Sequence, residues 1–214
     1  AMRGGLAALR IKRFDLAKQL LDRAITEVEA LQEGAEQADR AKSKFVKEQE
    51  KWFKGESYER AALFLYRGLL YLNDQDFGNA AACFKRAQLQ DIKGADMRDD
   101  GGDWTSAEYG LALATLKQGF PEDAKAALER AAKFPTRLGD IPSPTAQTSL
   151  LVVVEAGQGP VKYRSGKHGE QLRFAESATS IRSIEARWDA PPPLRAAAAE
   201  DFFIQATTRG TRQV

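Results

Sequence analysis

Apolar positions in the first part of this chain recur with the period of an α-helix, and the pattern is clearest between Gly55 and Asp91. Ala61, Phe64, Leu65, Gly68, Leu69, Tyr71 and Leu72 follow one another at three- and four-residue steps, which places them on one helical face. Asn73-Asp74-Gln75-Asp76 interrupts the pattern with turn-forming residues, and a second periodic run extends from Phe77 to Leu89. The reading is an antiparallel pair of amphipathic helices. A single pair cannot bury both of its apolar faces, so neighbours of the same kind are expected.

Those neighbours can be read on either side. In residues 3–31, Gly5, Phe14, Ala17, Leu21 and Ala24 stand where Gly68, Phe77, Ala80, Phe84 and Ala87 stand in the central pair. Only the end of a first helix precedes Phe14, so this unit is expected to be cut at its front. Its second helix is predicted to run from Asp15 as far as Phe45, with Gly34 as the weak point at about 1 kcal/mol against alanine. Residues 104–134 form the third unit. Asp103 or Thr105 is the expected cap, with Glu108 three residues after Thr105, and Pro121 opens the second helix after Gly119-Phe120. Ala112, Ala124, Leu128 and Ala131 match the small and large positions, while Thr115 replaces the aromatic and predicts lighter packing.

Small residues that let paired helices approach, with aromatics filling the space between them, make this pattern resemble the tetratricopeptide repeat (TPR). Gly68, Tyr71, Phe77, Ala80, Phe84 and Ala87 fall in that family's register, with Phe64 where tryptophan is common. Both gaps between the equivalent Ala17, Ala80 and Ala124 exceed the family period of about 34 residues, so the array carries insertions. The first is the Glu-, Gln- and Lys-rich stretch 32–54. Its mixed charges, among them Lys42, Lys47 and Glu48, read as a solvated helix face or as a platform for a partner. Trp52 and Phe53 are expected to anchor it on the next repeat. The second, residues 91–103, is rich in Asp and Gly but lacks the spacing of a calcium loop, and reads as an exposed connection.

The period changes after the proline-rich stretch 135–147, which reads as a linker. Ser149–Glu155 is a β-branched apolar run, Gly157–Pro160 a turn, and VKYR, LRFA and IRSIEAR further candidate strands. In the last, Ile181, Ser183, Glu185 and Arg187 alternate with Ile184 and Trp188. Pro191–Pro193 ends the strands, Arg195–Ala206 reads as an alanine-rich helix, and a polar tail follows. The fold class expected is α+β, mainly α: an irregular TPR-like array of about three helical hairpins, followed by a small antiparallel β subdomain. The array covers residues 1–134 (repeats near 3–31, 57–90 and 104–134), the linker 135–147, and the β part with its C-terminal helix 148–214.

Composition narrows the function without naming it. The 214 residues are 43% hydrophobic and 29% charged, as in ordinary globular domains. A net charge of +2 argues against a bulk nucleic-acid binder, although residues after Pro160 carry a mild basic excess. No apolar run is long enough to span a bilayer, and no signal peptide is visible; Ala1-Met2 leading straight into a periodic helix reads as a trimmed start. Cys83, the single cysteine, excludes a disulfide framework and reads as a small core or boundary residue. His168, the single histidine, sits in a turn-like stretch with no serine elbow nearby, and Gly157–Pro160 lacks the Lys-Ser/Thr of a phosphate loop. No catalytic, cofactor-binding or metal-ligating residue is assigned.

The resemblance implies a concave face lined by the first helix of each repeat. Carried onto this chain, its groove positions are Leu65, Tyr66, Leu69, Leu72 and Asn73, then Ser106, Tyr109, Leu113, Leu116 and Lys117. The groove is mostly apolar and suits an amphipathic helix, or is filled by the chain's own long helix or β unit. A looser similarity, over nearly the whole chain, is to bacterial repeat-containing lipoproteins in which a small β region follows the repeats. It implies an envelope location if a lipoprotein leader has been removed, with the cytoplasm as the alternative. The expected function is a non-enzymatic protein–protein interaction scaffold with a protein or peptide partner. Two alternatives stand beside it: a ligand-binding protein or enzyme with a pocket between array and β part, around His168, Glu170 and Arg173, and a homo-oligomer joined through the long first-repeat helix.

Overall fold

The first helices of this chain pair two by two. A computed structural model describes residues 1–40, 55–92, 104–133, 143–169, 171–179, 181, 183–187, 189, 193–195, 199–207 and 212–213. In it α1 (Met2–Arg10) pairs with α2 (Phe14–Arg40), α3 (Ser57–Asn73) with α4 (Phe77–Ile92), and α5 (Thr105–Lys117) with α6 (Pro121–Ala131). The charged stretch 41–54 with Trp52 and Phe53, the Asp-rich loop from residue 93 to 103, and the linker residues up to 142 lie outside the described residues.

One turn geometry closes all three hairpins. Lys12, Gln75 and Gly119 take the left-handed conformation, with φ of 60°, 60° and 83°. Their N–H groups bond to the carbonyls of Leu9, Leu72 and Leu116, and the N–H groups of Arg13, Asp76 and Phe120 reach back to Ala8, Tyr71 and Thr115, at 2.8–3.1 Å. This paired 5→2 and 6→1 pattern satisfies carbonyls left free at a helix end. Arg13, Asp76 and Phe120 then accept the N–H of Ala17, Ala80 and Ala124, which starts each second helix.

Close helix approach sets the core. Gly5 faces Leu21 and Gly68 faces Phe84, so nearly that an added Cβ would come within 2.8 and 2.7 Å of the partner side chain. Phe84 is fully buried because its other side meets Gly110 of the next hairpin. Around these pairs the interior is built from Ala8, Ala17, Ala61, Ala80, Ala87, Ala107, Ala112, Ala124 and Ala127. Small side chains let the backbones close up, and the few large ones fill what remains. Between the first two hairpins, Arg67 pairs with Asp22 through two N–H donors at 2.6 and 3.2 Å. Its guanidinium lies 3.6 Å over the Tyr71 ring. The turn aromatics Phe14 and Phe120 are 40 and 55% exposed and only in part fill the hairpins.

Capping differs from expectation at α5. Trp104, not Asp103 or Thr105, precedes the helix, and it offers no capping side chain. At α3, Glu56 and Glu59 form a reciprocal capping box.

The C-terminal part holds β1 (Val161–Ser165), β2 (Gln171–Ala175), β3 (Glu185–Ala186), β4 (Leu194–Arg195), α7 (Phe202–Thr207) and β5 (Arg212–Gln213). β1 and β2 are antiparallel with Tyr163 opposite Arg173, and β5 joins the far edge of β2. β3 and β4 form a separate antiparallel pair. The fold is therefore α+β and mainly α.

Three expectations for this part are corrected. Ser149–Glu155 is not a strand: it pairs with no strand among the described residues, and most of its side chains are exposed. β-branched residues favour strands because they pack on a pleated neighbour, and among the described residues no such neighbour lies alongside. The last helix starts at Phe202, not Arg195, because the Asp201 carboxylate accepts the N–H groups of Phe203 and Ile204 at 2.9 and 3.3 Å and caps it there. Leu194–Arg195 belongs to β4 instead, and Arg212–Gln213 of the polar tail is paired as β5. Over 183–187 the alternation read from the sequence holds: Ser183, Glu185 and Arg187 are exposed while Ile184 and Ala186 are half-buried. Trp188 lies outside the described residues.

This part packs on the helices. Tyr58 meets Phe174 edge to face at 5.8 Å, and Trp104 meets Phe202 at 5.5 Å.

Candidate functional site

The ten groove positions lie on α3 and α5, but they do not form an open apolar surface. Leu65, Tyr66 and Leu113 are buried, Leu69, Leu72, Ser106, Tyr109, Leu116 and Lys117 are half-buried, and Asn73 is exposed. Three of them bind the chain's own later residues. The Tyr66 hydroxyl donates to one oxygen of Glu155. Lys117 Nζ donates to the Ala146 carbonyl at 2.8 Å. Ser106 donates its backbone N–H and its hydroxyl to Glu200 at 2.7 and 3.0 Å. The face built by α1, α3 and α5 is thus covered in part by residues 143–160, which turn at Thr145–Thr148 and then run on outside any strand, and by the approach to α7, so the chain's own C-terminal part lies over some of the groove positions.

Glu155 is the centre of this contact. Arg10, the last residue of α1, donates Nε to its second oxygen at 2.8 Å. Burial by itself would raise the Glu155 carboxyl, but the bonds from Arg10 and Tyr66 outweigh it and hold the group below its ordinary range. Its bond and charge raise Arg10 in turn. Burial first, and then the glutamate, push the Tyr66 hydroxyl well above its usual value, so it stays a proton donor. Farther along, Lys162 of β1 reaches Glu59 of α3 at 2.9 Å and Glu56 at 3.8 Å.

Glu200 does a different job. Helix α5 begins without a capping side chain, and the Glu200 carboxylate supplies the acceptor from 94 residues away. A negative charge at that end also complements the helix dipole. Gln205 of α7 donates to the other Glu200 oxygen at 3.1 Å, tying the cap to the C-terminal part.

Two of these residues were within reach of the sequence pattern. Arg10 occupies in the first hairpin the position that Asn73 and Lys117 hold in the second and third, so the repeat register points to it. Glu155 is the single charge closing the run Leu150–Val154. Nothing local marks Glu200 or Lys162.

No family model, curated protein or solved structure matches the chain. The site therefore stands on its own geometry.

His168 is exposed in the turn between β1 and β2, Arg173 is exposed and bonded to Gln171, and Glu170 lies outside the described residues. A cleft of about 190 Å³ lies between α2, α3 and α4, lined by Asp22, Arg67, Tyr71, Asn79, Cys83 and Arg86 among others. It is smaller than the roughly 300 Å³ at which small-molecule pockets begin. Arg67 is engaged by Asp22 and Tyr71, and burial pushes the Cys83 thiol up to about 11, which keeps it protonated and a poor nucleophile. Among the described residues no group of three or more His, Cys, Asp or Glu is placed to hold a metal ion, and no described helix is long and apolar enough to cross a membrane.

Proposed function

We propose that this protein is a non-enzymatic interaction scaffold of the tetratricopeptide-repeat kind, whose first-helix face holds a non-helical segment of polypeptide. One observation carries the reading: the face of α1, α3 and α5 already grips a non-helical stretch of chain, at the turn residue Ala146 through Lys117 and at Glu155 through Arg10 and Tyr66. A surface that holds its own chain by side-chain donors has the chemistry to hold another. The identical hairpin turns and the Gly5–Leu21 and Gly68–Phe84 pairs support the repeat assignment. If a lipoprotein leader has been removed, the resemblance favours a bacterial envelope, with the cytoplasm as the alternative; fractionation of producing cells distinguishes the two.

Site-specific photo-crosslinking tests the proposal. A photoreactive residue at Tyr109 or Leu116, half-buried on the face, should give discrete protein adducts in producing cells. The same residue at Lys125, exposed on α6, should not. The adduct partner, once purified, should bind the isolated protein and bind the Lys117→Ala variant less tightly. Equal adducts at all three positions, or none at the face, would refute the scaffold. An adduct with a second copy of this chain would replace it with the homo-oligomer.

A further inference from the structure

We propose that the Arg10–Tyr66–Lys117 face takes a non-helical segment of a partner polypeptide that presents a carboxylate side chain between Arg10 and Tyr66, and that residues 143–160 compete for this face in cis. The inference rests on the scaffold reading and specifies its occupant.

The bound segment shows what the face selects. Tyr66 is buried, so its hydroxyl needs an acceptor from whatever lies on it, because a buried donor left without one is costly. Arg10 beside it makes an anionic acceptor the favoured one. Lys117 asks for a second acceptor, here the backbone carbonyl of Ala146, which any sequence supplies. Pro144 is buried next to it. Most side chains between these anchors are not read: Leu150, Val152, Val153 and Val154 are 76, 59, 56 and 47% exposed, and Leu151 is half-buried. Specificity therefore lies chiefly in one acidic side chain.

The same contacts show why the segment can leave. Among the described residues, no backbone–backbone hydrogen bond joins residues 149–160 to the helices, and none of these residues is in a strand. Arg10 and Glu155 are 62 and 34% exposed, and an ion pair so wetted holds weakly. The segment is fixed by a few polar anchors and leaves Leu150, Val152, Val153 and Val154 exposed, while Pro144 is buried and Leu151 half-buried. A partner segment offering the same anchors meets the same face, and the cis segment must vacate it first.

The test uses the full chain and a fluorescent peptide of residues 143–158. Bound to wild type, the peptide competes with its own copy in cis. In the Glu155→Gln chain the competitor lacks its carboxylate, and the peptide should bind about two- to fivefold more tightly, as the loss of so exposed an ion pair allows. A peptide carrying glutamine at position 155 should bind that chain about two- to fivefold more weakly than the natural one, whereas serine at positions 152 and 153 should change little. Proteolysis gives a second readout: Glu155→Gln and Arg10→Ala should each speed elastase cleavage within residues 146–160 while α3 and α5 stay intact. Equal affinity of wild type and Glu155→Gln, equal affinity of the glutamate and glutamine peptides, no peptide binding to any chain, or unchanged cleavage within 146–160 would each overturn the inference. Partner adducts at Tyr109 in wild type would then leave the scaffold reading standing without it, and absence of both would remove both.

Discussion

Substituting Gly110 by alanine opposes two effects of known size. Gly110 lies inside α5, where alanine is favoured over glycine by about 1 kcal/mol. The added Cβ, however, would stand 2.6, 2.7 and 2.8 Å from three ring carbons of Phe84. The ring cannot retreat, because on its other side Gly68 leaves it the same clearance, with the nearest approach of a built Cβ at 2.7 Å. Forcing a methyl group into so tight a site costs about 1–3 kcal/mol. Sterics should win, leaving a net loss of up to about 2 kcal/mol, which at about 2–4 °C per kcal/mol lowers Tm by up to about 8 °C. Urea and thermal unfolding followed by circular dichroism measure it. Gly78→Ala is the control, since an added Cβ there meets nothing nearer than Asp76 Oδ1 at 4.0 Å; it should be neutral or stabilising. In the Gly110→Ala background, Phe84→Leu should cost less than it does alone, with a coupling of about 0.5–3 kcal/mol. A Gly110→Ala protein more stable than wild type, as the helix preference for alanine alone would make it, would refute the idea that Phe84 is clamped between two hairpins.

Four further outcomes are expected. Glu200→Ala removes the acceptor at the start of α5 and should cost about 1 kcal/mol; no change in unfolding midpoint would show that Glu200 does not cap the helix. Gln75→Gly relieves a left-handed residue in the second hairpin turn, where the third turn already has glycine, and should stabilise by up to about 1 kcal/mol; a lower Tm would contradict this. Because burial raises Cys83 to about 11, its labelling by a thiol reagent at pH 8 should be about 100-fold slower in the native protein than in urea, and equal rates would count against its burial. The Glu155 carboxyl lies below its ordinary value in the folded protein, so its docking is complete above the unfolded pKa of about 4.3 and is lost as pH falls through the folded one. Carbon-13 titration should place its midpoint below that of exposed glutamates, and Arg10→Ala should raise it; an unmoved midpoint would refute the pairing.

The hairpins were legible because the contacts that make them are local or regular. Helical faces follow from side chains three and four residues apart, and Gly68 reads as small because Phe84 of the same hairpin must fit against it. Gly110 carries no such mark: its partner is also Phe84, but across the boundary between hairpins. The Ser149–Glu155 run was misread for a related reason, since strand propensity presumes a neighbouring strand that the fold does not supply. Thr105 looked like a cap because capping is usually local, whereas α5 takes its acceptor from Glu200.

By itself, then, the amino-acid sequence determined the helices, their pairing, the small-to-large order of their interfaces and the mainly α character of the chain. Tertiary structure decided what lies on the face those helices make. Glu155 meets Arg10 across 145 residues of chain, and Glu200 meets Ser106 across 94. No periodicity reaches that far. Such contacts are chosen by which buried donors remain unsatisfied once the hairpins have stacked, and a buried hydroxyl or a bare helix end takes an acceptor from whatever part of the chain can deliver one.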